Sequence, residues 1–178
     1  MMSRRVDYRK KIMDTIADAT LSLLEKKPFD HIKIDEIMKH SGFTKGTFYA
    51  YFDRKESLLE YIINKANDIF RMMLTHVQDS ASDSTQALSM LLDGMFEEKA
   101  SKPVLWVVFA DAILKQSMLR LRLLDRLKAF IHMFGGYPSD EAAMLLLGSF
   151  LCIWTSEKIT RKDEWFRLWK KSIFMQKK

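Results

Sequence analysis

The sequence predicts an all-α fold of about nine helices, and three observations carry that expectation. Gly and Pro are few, six and three in 178 residues, so long segments run without a breaker. Those segments are rich in Leu, Met, Ala, Lys and Glu, which favour helix. Their apolar residues recur at three- and four-residue spacing, whereas the alternation of a half-buried strand is scarce. Hydrophobic residues make up 48% and charged residues 29% of the chain, the balance of a globular protein rather than a disordered one.

The first helix is expected from about Asp7 to Glu25, with Ile12, Ile16, Ala19, Leu23 and Leu24 on one stripe. Pro28 closes it, because a proline disfavours helical geometry at the residue before it. A short helix follows over Ile34–His40 and stops at Ser41-Gly42; another starts at Thr44, a good N-cap, and reaches Phe52. A long helix is expected over Lys55–Val77, and the polar run Asp79 to Ser84 is the clearest loop. The remaining helices are expected over Thr85–Lys99, Pro103–Leu114, Gln116–Phe134, Asp140–Ile159 and Lys162–Phe174. Pro103 suits a helix first turn, and Gly135-Gly136-Tyr137-Pro138 is a firm stop.

Composition bounds the function without choosing it. The N-terminus is basic and then polar, and the most apolar stretch, Ala142–Trp154, falls short of the ~20 residues that span a bilayer. No membrane partner is expected, and the expected location is cytoplasmic. The single cysteine, Cys152, cannot close an internal disulfide; its apolar neighbours suggest a buried small hydrophobe. Net charge is +6 and the pI about 9.3, compatible with a polyanionic partner. The excess is not concentrated at the N-terminus, since residues 1–60 carry twelve Lys/Arg against ten Asp/Glu. The sharpest basic feature is the arm Arg4, Arg5, Arg9, Lys10 and Lys11. His31, His40, His76 and His132 show no metal spacing, and no Glu-x-x-His pair, nucleophile–base pair or phosphate loop is present. Neither an enzyme nor a cofactor is expected.

The segment IDEIMKH–SGF–TKGTFYAYF has the form of a helix-turn-helix, and each part has a mechanical reason. Ile34, Ile37 and Met38 can pack the shorter helix on the first. Gly42 permits the left-handed backbone of a tight turn, and Phe43 fills the angle between the helices. Thr44, Lys45 and Thr47 then stand at the N-terminal end of the second helix, where short polar and basic side chains reach base edges and phosphates. Helical phase turns Phe48 and Phe52 inward, and Tyr49 and Tyr51 outward. A plain helical hairpin with every aromatic in the core fits the same residues.

The run FTKGTFYAYFDRKESLL resembles the signature of the TetR/AcrR family of transcriptional regulators: Ser or Thr, Lys-Gly-Thr, an apolar residue, Tyr, His or Tyr, Phe, then Lys-Glu and Leu. The resemblance covers about Ile12 to Leu59. It implies a DNA-binding domain over 1–54 and an effector-binding and dimerisation domain over 55–178, joined by the long helix. It also places Thr44, Lys45, Thr47 and Tyr49 on a recognition helix, with Tyr51 and Lys55 toward the DNA backbone. Lys33 stands where a capping Thr is common, which removes a cap and adds a cation near phosphate. Met38 stands where Ala is usual.

Beyond residue 60 the family varies, so the residues must speak for themselves. Phe70, Met73, Met90, Trp106, Phe109 and Phe130 are candidates for an adaptable apolar pocket, although Met and Phe at helical spacing also make ordinary core. Asp111 is a candidate polar anchor, but Lys115 four residues on offers it an ion pair. Leu145, Ser149 and Cys152, with Trp165 and Trp169, are expected at a dimer interface that pairs the last two helices across a two-fold axis. The expected function is a homodimeric repressor of a palindromic double-stranded DNA operator, released by a small, largely apolar ligand. The alternative is a DNA-binding protein of the same fold that answers to no small ligand.

Overall fold

A computed structural model describes residues 2–156 and 162–174, with the side chains of 2–5 and 174 left aside. Nine α-helices are present among the described residues, with no strand. They are α1 (Met2–Leu24), α2 (Ile34–Ser41), α3 (Lys45–Tyr51), α4 (Lys55–Ser80), α5 (Ser84–Ser101), α6 (Pro103–Lys115), α7 (Ser117–Met133), α8 (Asp140–Thr155) and α9 (Lys162–Trp169). A 3-10 turn at Phe29–His31 and a π turn at Lys170–Phe174 complete the described elements. No helix among the described residues is long and apolar enough to cross a membrane.

Helix ends differ from expectation where no strong stop signal exists. The first helix begins at Met2 rather than Asp7, because no Gly or Pro interrupts that stretch. The fourth runs to Ser80 rather than Val77, and Asp83 then caps α5 by accepting from the amides of Thr85 and Gln86 at 2.7 and 2.9 Å. The eighth is described to Thr155; its expected end at Ile159 lies outside the described residues, as do the side chains of Arg4 and Arg5.

The chain divides into two compact units, Met1–Lys65 and Ala66–Lys178. This division falls inside α4, beyond the expected one at 54/55, and the physical reason is visible. The first turns of α4 bury Leu58 and Ile62, and Tyr61 and Lys65 reach back to α1. Tyr61 donates to Asp14 at 3.0 Å, and Lys65 pairs with Asp14 at 2.9 Å and Asp18 at 3.2 Å. Burial, then the Asp14 contact, pushes the Tyr61 phenol up to about 12, so it stays a donor across the physiological range.

The N-terminal unit is small but has a dry centre. Ile12, Ile16, Ile37, Met38, Phe48 and Phe52 are all buried. The C-terminal unit is built from the rest of α4 and α5–α9. Its core is aromatic: Phe70, Trp106, Phe109, Phe150 and Trp154 are fully buried together. Gly94 serves close approach there, because a Cβ would meet Met73 Sδ at 2.9 Å.

Candidate nucleic-acid interface

Helices α2 and α3 are set by local chemistry. Gly42 takes φ +75°, the left-handed cap, and its amide and that of Phe43 both close on the carbonyl of Met38. Thr44 then caps α3: its hydroxyl accepts from the Thr47 amide at 3.4 Å and lies 3.0 Å from the Thr47 hydroxyl. The helix turns on two buried rings, Phe48 and Phe52, whose centroids are 5.5 Å apart. Phase did place these inward.

The outward face carries Thr44, Lys45, Gly46 and Tyr49, all exposed, with Thr47 half-buried. Tyr49 is 53% exposed and its ring meets Phe48 edge-on at 5.4 Å, so it is braced at its base and open at its hydroxyl. Lys45 pairs with Asp35 at 3.1 Å, but both side chains are more than half exposed. Such a pair is worth ~0–1 kcal/mol and yields easily to a phosphate. Tyr51 is half-buried beneath the Arg9 guanidinium, which lies 5.3 Å from the ring centroid. Tyr51 thus holds a cation of α1 beside the same helix.

Lys33 is exposed at the N-cap of α2 and gives no side-chain cap. Half a capping box survives, because the Lys33 amide donates to Glu36 at 2.8 Å. Glu36 also accepts from Lys27 at 2.8 Å. The Lys27 hydrogen bond, then that of the Lys33 amide, holds the Glu36 carboxyl below the usual range. A depressed folded value gives stability that is present above the unfolded value and lost as pH falls through the folded one. Glu36→Gln is therefore expected to lower the melting temperature at neutral pH. The gap from wild type should close as pH drops below about 4.3, the ordinary Glu value. Thermal melts across an acid series would show this.

Lys55 opens α4 and is held within the chain. Its ammonium donates to the carbonyls of Phe29, Ile32 and Asp30 at 2.8, 3.1 and 3.3 Å and lies 4.5 Å from the Phe29 ring centroid. It closes the end of the 3-10 turn and so fixes the approach to α2. Sequence reasoning also passed over Gly46. Its φ is not positive, and a Cβ there would meet nothing nearer than the Thr44 hydroxyl at 3.8 Å. Nothing among the described residues asks for glycine at that position. The readable signal was a glycine between Lys and Thr in a helix first turn.

In the C-terminal unit the candidate residues separate into groups. Phe70, Trp106 and Phe109 gather around Trp154, whereas Phe130 pairs with Phe134 at 5.1 Å. Met73 and Met90 are half-buried. Asp111 pairs with Lys115 at 2.7 Å on the surface, the i,i+4 contact its spacing offers.

The expected dimer residues need correction. Ser149 and Trp169 are buried inside the chain, where the Trp169 indole donates to the Ser149 hydroxyl at 3.0 Å. They cannot lie on an outer face. Leu145 and Trp165 are half-buried, and Cys152 is exposed rather than buried. The outward stripe of α8 is Met144, Gly148, Cys152 and Thr155, flanked by Leu145 and Leu151. Met144 is 60% and Leu168 of α9 41% exposed, so both helices keep apolar surface in water.

Two helices crossing at a glycine turn, with the N-terminal end of the second one exposed, define a helix-turn-helix protein. Residues 16–62 match the family described as bacterial regulatory proteins, tetR family. The chain is 21% identical over 135 residues to the uncharacterized HTH-type transcriptional regulator YwcC of Bacillus subtilis, covering 71% of this chain and 57% of that one. It is 31% identical over 108 residues to the uncharacterized HTH-type regulator YdgC of the same organism, covering 61% and 47%. The match thus spans about half the length of these relatives. Among solved structures, a TetR-like regulator from Rhodococcus sp. RHA1 superposes with a TM-score of 0.71 at 18% identity, covering 92% of each chain. The fatty acid degradation regulator FadR from Bacillus halodurans superposes with a TM-score of 0.73 at 18% identity, covering 88% of this chain and 93% of that one. These similarities in structure carry the fold. The family match thus covers the segment from α1 through the first turns of α4, which holds the helix-turn-helix.

Proposed function

We propose that the chain is a transcriptional repressor that binds a palindromic operator as a homodimer and leaves it when a small, largely apolar ligand binds the C-terminal unit. The observation that carries the DNA-binding part is the exposed first turn of α3, where Thr44, Lys45, Gly46 and Tyr49 present donors, a cation and a bare backbone on one face. A helix N-terminus adds its own attraction for phosphate. Lys45 supplies charge, Tyr49 a hydroxyl and Thr44 the cap that orients both. Lys33 and the Arg9–Tyr51 pair extend the cationic rim, and Lys55 supports it through the 3-10 turn.

The dimer reading rests on the apolar outer stripe of α8 and on Leu168. Met144, Gly148 and Cys152 alternate large and small, which lets a second helix approach closely. Two copies of α8 and α9 would make a four-helix bundle, with one reading head for each half of a palindrome. The ligand reading rests on the buried aromatic cluster around Trp154, apolar and soft enough to repack. A coupling of ~1–3 kcal/mol between ligand and DNA suffices for a useful switch.

The test is a gel shift on the DNA that flanks the chain's own gene, since regulators of this kind often control their neighbours. Lys45→Ala and Tyr49→Ala should each weaken binding about 10- to 100-fold, the worth of one good contact of ~1–3 kcal/mol. Sedimentation should show the oligomer unchanged in both. Unchanged affinity in both variants would overturn the assignment of α3.

A further inference from the structure

The geometry points to two specific donors in the C-terminal unit: we infer that the indole N–H groups of Trp106 and Trp154 bind an acceptor oxygen, carboxylate or carbonyl, on an apolar small molecule. This rests on the reading that the unit takes an effector, and it names the chemistry of that effector. Both indoles are fully buried, and their rings stack at 4.7 Å and 21°. Phe70, Phe109 and Phe150 surround Trp154 with ring centroids at 5.6, 5.7 and 5.6 Å. In that setting neither indole nitrogen has a hydrogen-bond partner among the described residues.

Buried indoles normally find an acceptor. This chain supplies one to Trp169, whose N–H reaches the Ser149 hydroxyl at 3.0 Å. The two orphan donors are therefore not scattered through a poorly paired core. They belong to one stacked pair, within a shell of carbon.

An oxygen of a carboxylate or carbonyl has lone pairs for two donors, whereas an ammonium has none. The ligand class is an apolar acid, ester or ketone, since an ammonium offers the two indoles no acceptor.

The experiment is indole nitrogen–proton NMR on the full chain, with signals assigned through Trp106→Phe and Trp154→Phe. Three probes of equal chain length are decanoic acid, methyl decanoate and decylamine, each below its micelle concentration. Decanoate or the ester should move the Trp106 and Trp154 indole protons downfield, leave Trp169 in place and find no counterpart with decylamine. A response to decanoate alone identifies a carboxylate; a response to both identifies a carbonyl oxygen. In calorimetry each Phe variant should bind the active probe at least about tenfold more weakly, the loss of one buried hydrogen bond. Heat of binding with unmoved indole signals and undiminished affinity in the Phe variants would overturn this inference while leaving effector binding intact. Absence of binding by all three probes would overturn it together with the effector reading.

Discussion

Phe48→Ala is expected to unfold the N-terminal unit at room temperature or bring it close to unfolding. The ring is fully buried, packs on Phe52 at 5.5 Å and joins α3 to the core of that unit. Truncating a buried Phe costs ~3–5 kcal/mol once the cavity is counted. A domain holds only ~5–15 kcal/mol in all, and this unit is among the small ones, where burial is least complete. The neighbouring exposed Tyr49→Ala should change stability by no more than about 0.5 kcal/mol. Urea unfolding followed by circular dichroism separates the two. Equal midpoints would mean that Phe48 does not anchor α3.

Gly46→Leu should do the reverse: it spares the fold and removes the function. No positive φ is required at Gly46, and among the described residues a new Cβ would meet the Thr44 hydroxyl at 3.8 Å, an ordinary contact distance. Replacing glycine in a helix generally stabilises it, by up to about 1 kcal/mol. The melting temperature should therefore hold or rise. Yet a leucine on this face would stand between the first turn of α3 and whatever it meets. If that is DNA backbone, several contacts open together and affinity falls about 100-fold or more, since each is worth ~1–3 kcal/mol. A stable variant with undiminished DNA affinity would show that Gly46 faces nothing.

What could be read in advance was governed by near neighbours along the chain. Gly42, the Thr44 cap and the inward phase of Phe48 and Phe52 follow from rules that span four residues or fewer. The hold of Lys55 on the 3-10 turn could not be read, because the carbonyls it meets are 23 to 26 positions away. A lysine beside a DNA-binding motif suggests phosphate until those carbonyls are seen. Helix α8 shows a second limit. It is apolar nearly all round, so periodicity could not say which stripe faces inward. The hydrogen bond from Trp169 to Ser149, across twenty residues, decides it and turns Met144, Gly148 and Cys152 outward. The ties of Tyr61 and Lys65 to α1 were hidden for a related reason, since they join residues 47 to 51 positions apart.

The central claim is that two copies of this chain present the first turn of α3 to successive turns of one duplex. Hydroxyl-radical footprinting of the DNA flanking its gene tests this most directly. Two protected patches are predicted, related by a palindrome, with centres about 10–10.5 base pairs apart, and lost together in Lys45→Ala. A single patch, or the same pattern with Lys45→Ala, would contradict it.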